Sequence, residues 1–262
     1  GSKSIAIRVL IIATFLKSPL KLYNLPDCED VGTVVSALHR IGYRFEKGKV
    51  VPPVSVEGSY QIKINESAAA LRFLAIRFAS WEGLRVELSM TPQLAKRPLK
   101  PLMTLIKAMG GSIEQKEDVL AVNGRKGLVF NRGCIPYLAS EITSQLVSGV
   151  LLSKPAIDFD SSAFYSVADY QKENCHTDLR RVSIGYVSLT KAIMADFGLN
   201  AESKEAKIYE NPSLYYIEPD ISSACYFWAL GCLMRKTIGV KLPDKTYRQS
   251  DYHFLDVLKQ MG

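Results

Sequence analysis

The chain opens on a short polar cluster, Ser2-Lys3-Ser4, that runs directly into an apolar stretch, Ile5–Leu16. The pattern returns three times. Asn65-Glu66-Ser67 leads into Ala68–Ala79, Glu141–Gln145 into Leu146–Leu152, and Ser222-Ser223 into Ala224–Met234. Small and hydroxyl residues ahead of an apolar run are helix N-cap chemistry. None of the apolar bodies has a clean polar face, so the pattern predicts four buried helices. After each comes an extended stretch and then a second, amphipathic helix ending on glycine: Val35–Gly42, Leu105–Gly110, Ala192–Gly198 and Leu255–Gly262. Glycine at that point is a helix C-cap. Strand-like runs fill the gaps, among them Tyr43–Phe45, Leu84–Ser89, Ser112–Glu114, Val119–Val122 and Leu214–Ile217.

The unit is therefore helix, strand, helix, strand, repeated with loop insertions. The fourth copy stops at its capping glycine, and Gly1 begins on a helix cap with no strand before it. The other three copies continue, so the pattern predicts that both ends are cut from something longer.

Composition narrows the class. The 262 residues fit one large domain or two small ones, with 47% hydrophobic and 23% charged residues, as in an ordinary soluble globular protein. The longest apolar runs, Val9–Leu16 and Ala224–Met234, fall short of the roughly 18 residues of a membrane span. The first residues do not make a signal peptide. The cysteines (28, 134, 175, 225, 232) form no Cys-x-x-Cys pair, so a disulfide framework or zinc site is not expected and a reducing cytoplasm is. Cys225 and Cys232 read as core. Three histidines without ligand spacing leave metal catalysis little to build on. The net charge of +7 suits nucleic acid or a cleft for small, highly anionic ligands, and charge alone does not choose.

The candidate chemistry lies at the starts of the buried helices, where free N–H groups and the positive dipole end attract phosphate and carboxylate. Lys3, Ser4, Arg8, Thr143, Ser144 and Gln145 gather there. Ser4 and Ser144 either contact a ligand or merely cap their helices. Arg97, ahead of Pro98-Leu99-Lys100-Pro101, either grips a carboxylate or makes a surface ion pair. Asp158, Asp160 and Asp169 read as solvated loop residues, His176 is given no role, and Tyr215 and Tyr216 read as strand packing.

Five segments, in order along the whole chain, resemble EPSP synthases (5-enolpyruvylshikimate-3-phosphate synthases). Gly1-Ser2-Lys3-Ser4-Ile5-Ala6-Ile7-Arg8 resembles the family's opening motif. Asn65–Leu74 resembles its Gly-Asn-Ala-Gly-Thr-Ala-Met-Arg segment. Arg97–Leu102 resembles Arg-Pro-Ile-Gly-Pro-Leu, Ile142–Gln145 resembles Val-Ser-Ser-Gln, and Ile221–Phe227 resembles Ala-Ser-Ser-Ala-Ser-Tyr-Phe. The resemblance implies an α/β (α+β) fold. One domain of three βαββαβ units packed around buried helices would span residues 1–217, and the incomplete start of a second such domain residues 218–262. It implies transfer of enolpyruvyl from phosphoenolpyruvate to the 5-hydroxyl of shikimate-3-phosphate. No cofactor, metal, nucleic acid or membrane would take part, in a cytoplasmic monomer.

By the same resemblance Lys3, Ser4, Arg8, Thr143, Ser144, Gln145, Ser183 and Tyr186 would contact shikimate-3-phosphate. Lys3, Ala68, Arg97 and Gln145 would face phosphoenolpyruvate, and Lys3 would be catalytic. Ala68 stands where the family has a glycine whose backbone approaches phosphoenolpyruvate, a position linked to glyphosate sensitivity. Ser183-Ile184-Gly185-Tyr186 lacks the Lys and Pro of the family's Ser-Lys-Pro-Tyr. The family's catalytic Asp and Glu have no counterpart before Gly262, and no carboxylate stands at a matched motif position, so the chain as given is expected to be inactive. The related UDP-N-acetylglucosamine enolpyruvyl transferases carry a loop cysteine before the arginine, which Met90–Lys96 lacks. The alternative from another class is a catalytically dead module that binds an anionic ligand or a protein partner.

Overall fold

A computed structural model describes residues 1–135, 144–160, 184–201, 203, 212–240 and 248–261. Thr143, Asp169, Cys175, His176, Ser183 and Gly262, singled out above, lie outside them.

The first three apolar runs form α1 (Lys3–Ala13), α3 (Ala68–Ala79) and α6 (Gln145–Leu152). Ile5–Ala13, Leu146–Leu152 and every residue of α3 but Ala69 are buried, as helices without a polar face must be. Between them lie β1 (Leu20–Tyr23), α2 (Glu29–Arg40), β2 (Arg44–Glu46), β3 (Lys49–Val51) and β4 (Gly58–Asn65). After α3 come β5 (Leu84–Met90), the short α4 (Pro92–Ala95), α5 (Lys100–Ala108), β6 (Ser112–Lys116), β7 (Val119–Asn123) and β8 (Leu128–Phe130). After α6 come β9 (Ile157–Phe159), α7 (Ile184–Asp196), β10 (Leu214–Tyr216), α8 (Ile221–Met234) and α9 (Phe254–Met261).

The amphipathic helices end as their glycines predict. Gly42, Gly110 and Gly198 take φ of +103°, +88° and +68°, a conformation that costs other residues strain. In each case the next residue's N–H closes the helix on the carbonyl five residues back: Tyr43 on Leu38 at 3.0 Å, Gly111 on Ile106 at 2.8 Å, Leu199 on Met194 at 2.9 Å. The three endings are the same structure.

The repeat extends to the sheets. One has the strand order β10-β1-β3-β2 and another β4-β5-β7-β6. In each, the first pair is parallel and the other two antiparallel. The third sheet shows the parallel pair β8-β9. The place that β4 fills beside β5 is filled beside β1 by β10, with Lys21 opposite Leu214 and Tyr23 opposite Tyr216. The first sheet is thus completed by a strand from some 190 positions further along the chain, and the ring of units closes on itself.

One expectation needs correction. The fourth apolar run forms α8, yet α8 is not a core helix. Tyr226 and Leu233 are 80% and 84% exposed, and Phe227, Leu230 and Met234 are exposed beside them. The reason is that α8 packs on α9 and on the 3-10 turn Ser250–His253, and its other face stays open. Cys232 lies on that face rather than in the core. Tyr216 is likewise exposed, whereas Tyr215 stacks on Phe197 at 5.4 Å.

Candidate functional site

The three buried helices start at one level. Arg8, five residues into α1, lies over the ring of Phe73, five residues into α3, at 5.3 Å. Its guanidinium also reaches Ser148, three residues into α6. The starts of these helices, near one guanidinium, carry free N–H groups and positive dipole ends and form the face of the candidate site.

On that face Lys3, the first residue of α1, places Nζ 2.8 Å from Asp30 Oδ2, near the head of α2. Asp30 also accepts a hydrogen bond from Ser67 Oγ, which caps α3 by accepting from the Ala70 N–H at 3.3 Å. One carboxylate so joins the heads of α1, α2 and α3. Burial pushes the Asp30 carboxyl upward, but the hydrogen bonds from Lys3 and Ser67 outweigh it and hold the group below its ordinary value. The hydrogen bond to Asp30 raises Lys3 above the usual lysine value, against its partial burial. Lys3 is therefore a fixed cation at neutral pH.

Arg8 is a different kind of cation. It is only 4% exposed, and its partners among the described residues are all neutral. Nε donates to Thr190 Oγ1 at 2.7 Å and Nη1 to the Ser4 carbonyl at 2.7 Å. Among the described residues Nη2 has only the long contacts to Ser148 Oγ at 3.4 Å and the Tyr186 carbonyl at 3.5 Å. The rings of Phe73 and Tyr186 lie 5.3 and 5.7 Å from Cζ. Desolvation lowers its pKa to about 10, which leaves it charged at neutral pH. No carboxylate among the described residues neutralises it. A buried charge without a counter-ion is expensive, and an anionic ligand would relieve that cost.

The serines answer the capping question. Ser4 lies inside α1, after the N-cap residue Ser2, and Ser144 stands at the N-cap of α6 without a side-chain capping hydrogen bond. Neither hydroxyl is spent on its helix end, in contrast to Ser67. Gln145 opens α6 half-buried, and Tyr186, near the start of α7, is half-buried beside Arg8. Ala68 is the first residue of α3. Asn65 precedes that head in the left-handed conformation, φ +53°, which asparagine tolerates better than most residues.

Arg97 sits in an exposed turn between α4 and α5. The turn is tied to the head of α3: Thr91 caps α4 through the Leu94 N–H at 3.2 Å and donates its hydroxyl to Glu66. The tether brings the α4 turn to the α3 head but does not bring Arg97 into the Arg8 cluster.

Opposite Ser4, Tyr186 and Leu189 stand Ser222, Gln249, Ser250 and Asp251, across a closed seam with no room for a water molecule. It is narrow: a side chain on Gly185 would come within 2.4 Å of Ser250 Oγ. Gln249 holds this wall to the start of α8, accepting from the Ile221 N–H at 3.1 Å and donating to the Pro219 carbonyl at 2.8 Å. Arg248 braces it further, pairing with Asp196 at the end of α7 and with Glu218 at 2.7 Å.

Lys3, Ser4, Ala68, Ser144, Gln145 and Tyr186 lie in the first turn of their helices or at its cap, and Arg8 lies one turn further into α1. Asp30, Ser148 and Thr190 were not foreseen. Asp30 stands in the motif Glu29-Asp30, which reads simply as acid in a helix's first turn, favourable to its dipole. Ser148 and Thr190 are single hydroxyls inside apolar helices and carry no sequence signal.

The family model for EPSP synthase (3-phosphoshikimate 1-carboxyvinyltransferase) matches residues 1–262. The chain is 28% identical over 280 residues to the 3-phosphoshikimate 1-carboxyvinyltransferase of Edwardsiella ictaluri (strain 93-146). It is 29% identical over 284 residues to that of Aliivibrio salmonicida (strain LFI1238). Both alignments cover 100% of this chain and 62% of the relative, so the chain spans less than two thirds of the length of these relatives. The solved EPSP synthase of Acinetobacter baumannii superposes with a TM-score of 0.61 at 16% identity, over 100% of this chain and 58% of that one, a likeness of fold. By its match over the full sequence, this chain belongs to the EPSP synthase family.

Proposed function

We propose that this chain supplies the shikimate-3-phosphate-binding part of a 3-phosphoshikimate 1-carboxyvinyltransferase. The observation that carries the reading is Arg8, a buried guanidinium among neutral partners at the level of three helix heads. A ligand with both a carboxylate and a phosphate suits such a face: the heads and Ser4 and Ser144 offer N–H and O–H donors, and Arg8 offers the buried charge. Thr143 and Ser183 join the set on family resemblance alone.

The reaction is enolpyruvyl transfer. The substrate's 5-hydroxyl gives up its proton as its oxygen bonds to the phosphate-bearing carbon of phosphoenolpyruvate and the methylene carbon gains a proton; the resulting methyl then loses a proton as the carbon–oxygen bond to phosphate breaks and phosphate leaves. Held protonated by Asp30, Lys3 serves as a cationic donor to developing charge rather than as a base. Ala68, Arg97 and Gln145 complete the phosphoenolpyruvate side contributed by this chain. Residues 1–217 form the substrate-binding domain in this reading and residues 218–262 belong to a second, in a cytoplasmic, monomeric enzyme.

Calorimetric titration with shikimate-3-phosphate tests the reading. Arg8→Ala and Ser144→Ala each weaken binding, by roughly 1.5–3 kcal/mol for a lost charge-assisted hydrogen bond. Unchanged affinity in both variants contradicts it.

A further inference from the structure

Thr190 lies in α7, one turn after Tyr186, with none of its surface exposed. Its hydroxyl oxygen is 2.7 Å from Arg8 Nε, 2.9 Å from Ser148 Oγ and 2.8 Å from the Tyr186 carbonyl. A hydroxyl has a single proton to give. The Tyr186 carbonyl, four residues back on the same helix, is the habitual acceptor for a threonine inside a helix. With the proton placed there, Thr190 Oγ1 accepts from Arg8, and Ser148, itself fully buried, donates its hydroxyl to Thr190 and turns a lone pair toward Arg8 Nη2. The arrangement is a closed chain of neutral hydroxyls linking α1, α6 and α7 behind one guanidinium.

The consequence is orientational. A guanidinium is planar, with its five N–H groups in a fixed fork. Two short bonds, Nε to Thr190 and Nη1 to the Ser4 carbonyl, therefore set both the plane of the group and the edge left over. That edge includes Nη2, whose contacts of 3.4 and 3.5 Å are too long to hold it firmly. Thr190 also anchors through the carbonyl of Tyr186, so the arginine and the tyrosine beside it are held by one hydroxyl.

We propose that Thr190, supported by Ser148, is a positioning residue for substrate recognition: without touching the ligand it fixes the guanidinium of Arg8 so that its free edge meets the ligand's anionic group. The inference rests on the reading of Arg8 as a shikimate-3-phosphate contact, and the experiment separates the two. Shikimate-3-phosphate is titrated into the intact protein, into Thr190→Val and Thr190→Ser, into Arg8→Ala, and into the double variant Arg8→Ala/Thr190→Val, with melting followed in each. Thr190→Val, which keeps the shape and removes the acceptor, weakens binding by about tenfold or more, the scale of an unmet hydrogen bond to a charged group. Thr190→Ser binds like the parent. In the Arg8→Ala background, Thr190→Val has no further effect. A residue that merely supports the fold would cost affinity equally in both backgrounds, and that additivity overturns the proposal, as does parental affinity in Thr190→Val. Parental affinity in Arg8→Ala overturns the substrate reading itself and the proposal with it. If Thr190→Val fails to fold, Ser148→Ala takes its place in the same cycle, with a loss of affinity that vanishes once Arg8 is gone.

Discussion

At the scale of single residues, two cations at one site are treated in opposite ways. Lys3 is half-exposed and paired to Asp30, whereas Arg8 is buried with no carboxylate beside it among the described residues. The difference predicts their response to pH. Asp30 sits below its unfolded value, so its contribution to stability is present above the usual carboxylate range and is lost as pH falls through its folded value. Lys3 sits above its unfolded value, so its contribution is present below the ordinary lysine range and is lost as pH rises through its folded value. Asp30→Asn should therefore lower stability at neutral pH by about 1 kcal/mol or less, because a pair this exposed is well screened. The difference between parent and variant should vanish at acid pH and shrink to the share of the Ser67 hydrogen bond as pH rises through the folded value of Lys3. Urea denaturation across pH checks this, and a difference that persists at low pH contradicts it. Asp30 was not legible in the sequence because acid in a helix's first turn has a sufficient local explanation. Only the meeting of three helix heads gives it another partner.

At the scale of elements, the sequence was most informative where local chemistry decides the outcome. The run Ala68–Ala79 coincides with α3, and the three capping glycines end their helices in one motif, because an apolar body and a left-handed cap are properties of neighbouring residues. Pairing across the chain was not legible: nothing in Leu214–Tyr216 marks it as the partner of β1. The close approach of α3 and α6 was also hidden. It depends on Gly149, in the middle of α6, where a Cβ would come within 2.7 Å of Ile76 Cδ1. Gly149→Val pushes two buried helices apart and should cost about 1–3 kcal/mol by overpacking. Since α6 carries Ser144 and Gln145 at its head, the displacement reaches the site as well. A urea midpoint equal to the parent's would show that the contact relaxes without cost.

For the whole molecule, the repeat explains why the site is where it is. Buried helices of equivalent units meet around Arg8, and Asp30 joins the starts of α1 and α3, so groups far apart in sequence come together. The opposite wall of the seam comes from Ser222 and Gln249–Asp251, which the motif reading did not assign to the site at all. The exposed face of α8 shows where reading a helix by its own hydrophobicity stops short: an apolar run predicts burial, but only its neighbours decide it.

If Arg8 and the helix heads around it receive shikimate-3-phosphate, a crystal structure of the protein with that ligand will show it. A ligand oxygen should lie within hydrogen-bond reach of the Arg8 guanidinium, beside Ser4 and Tyr186, with Nε still bonded to Thr190. The ligand's second anionic group should lie at the head of α6 beside Ser144. A ligand bound elsewhere at saturation, with Arg8 keeping only its neutral partners, would contradict it.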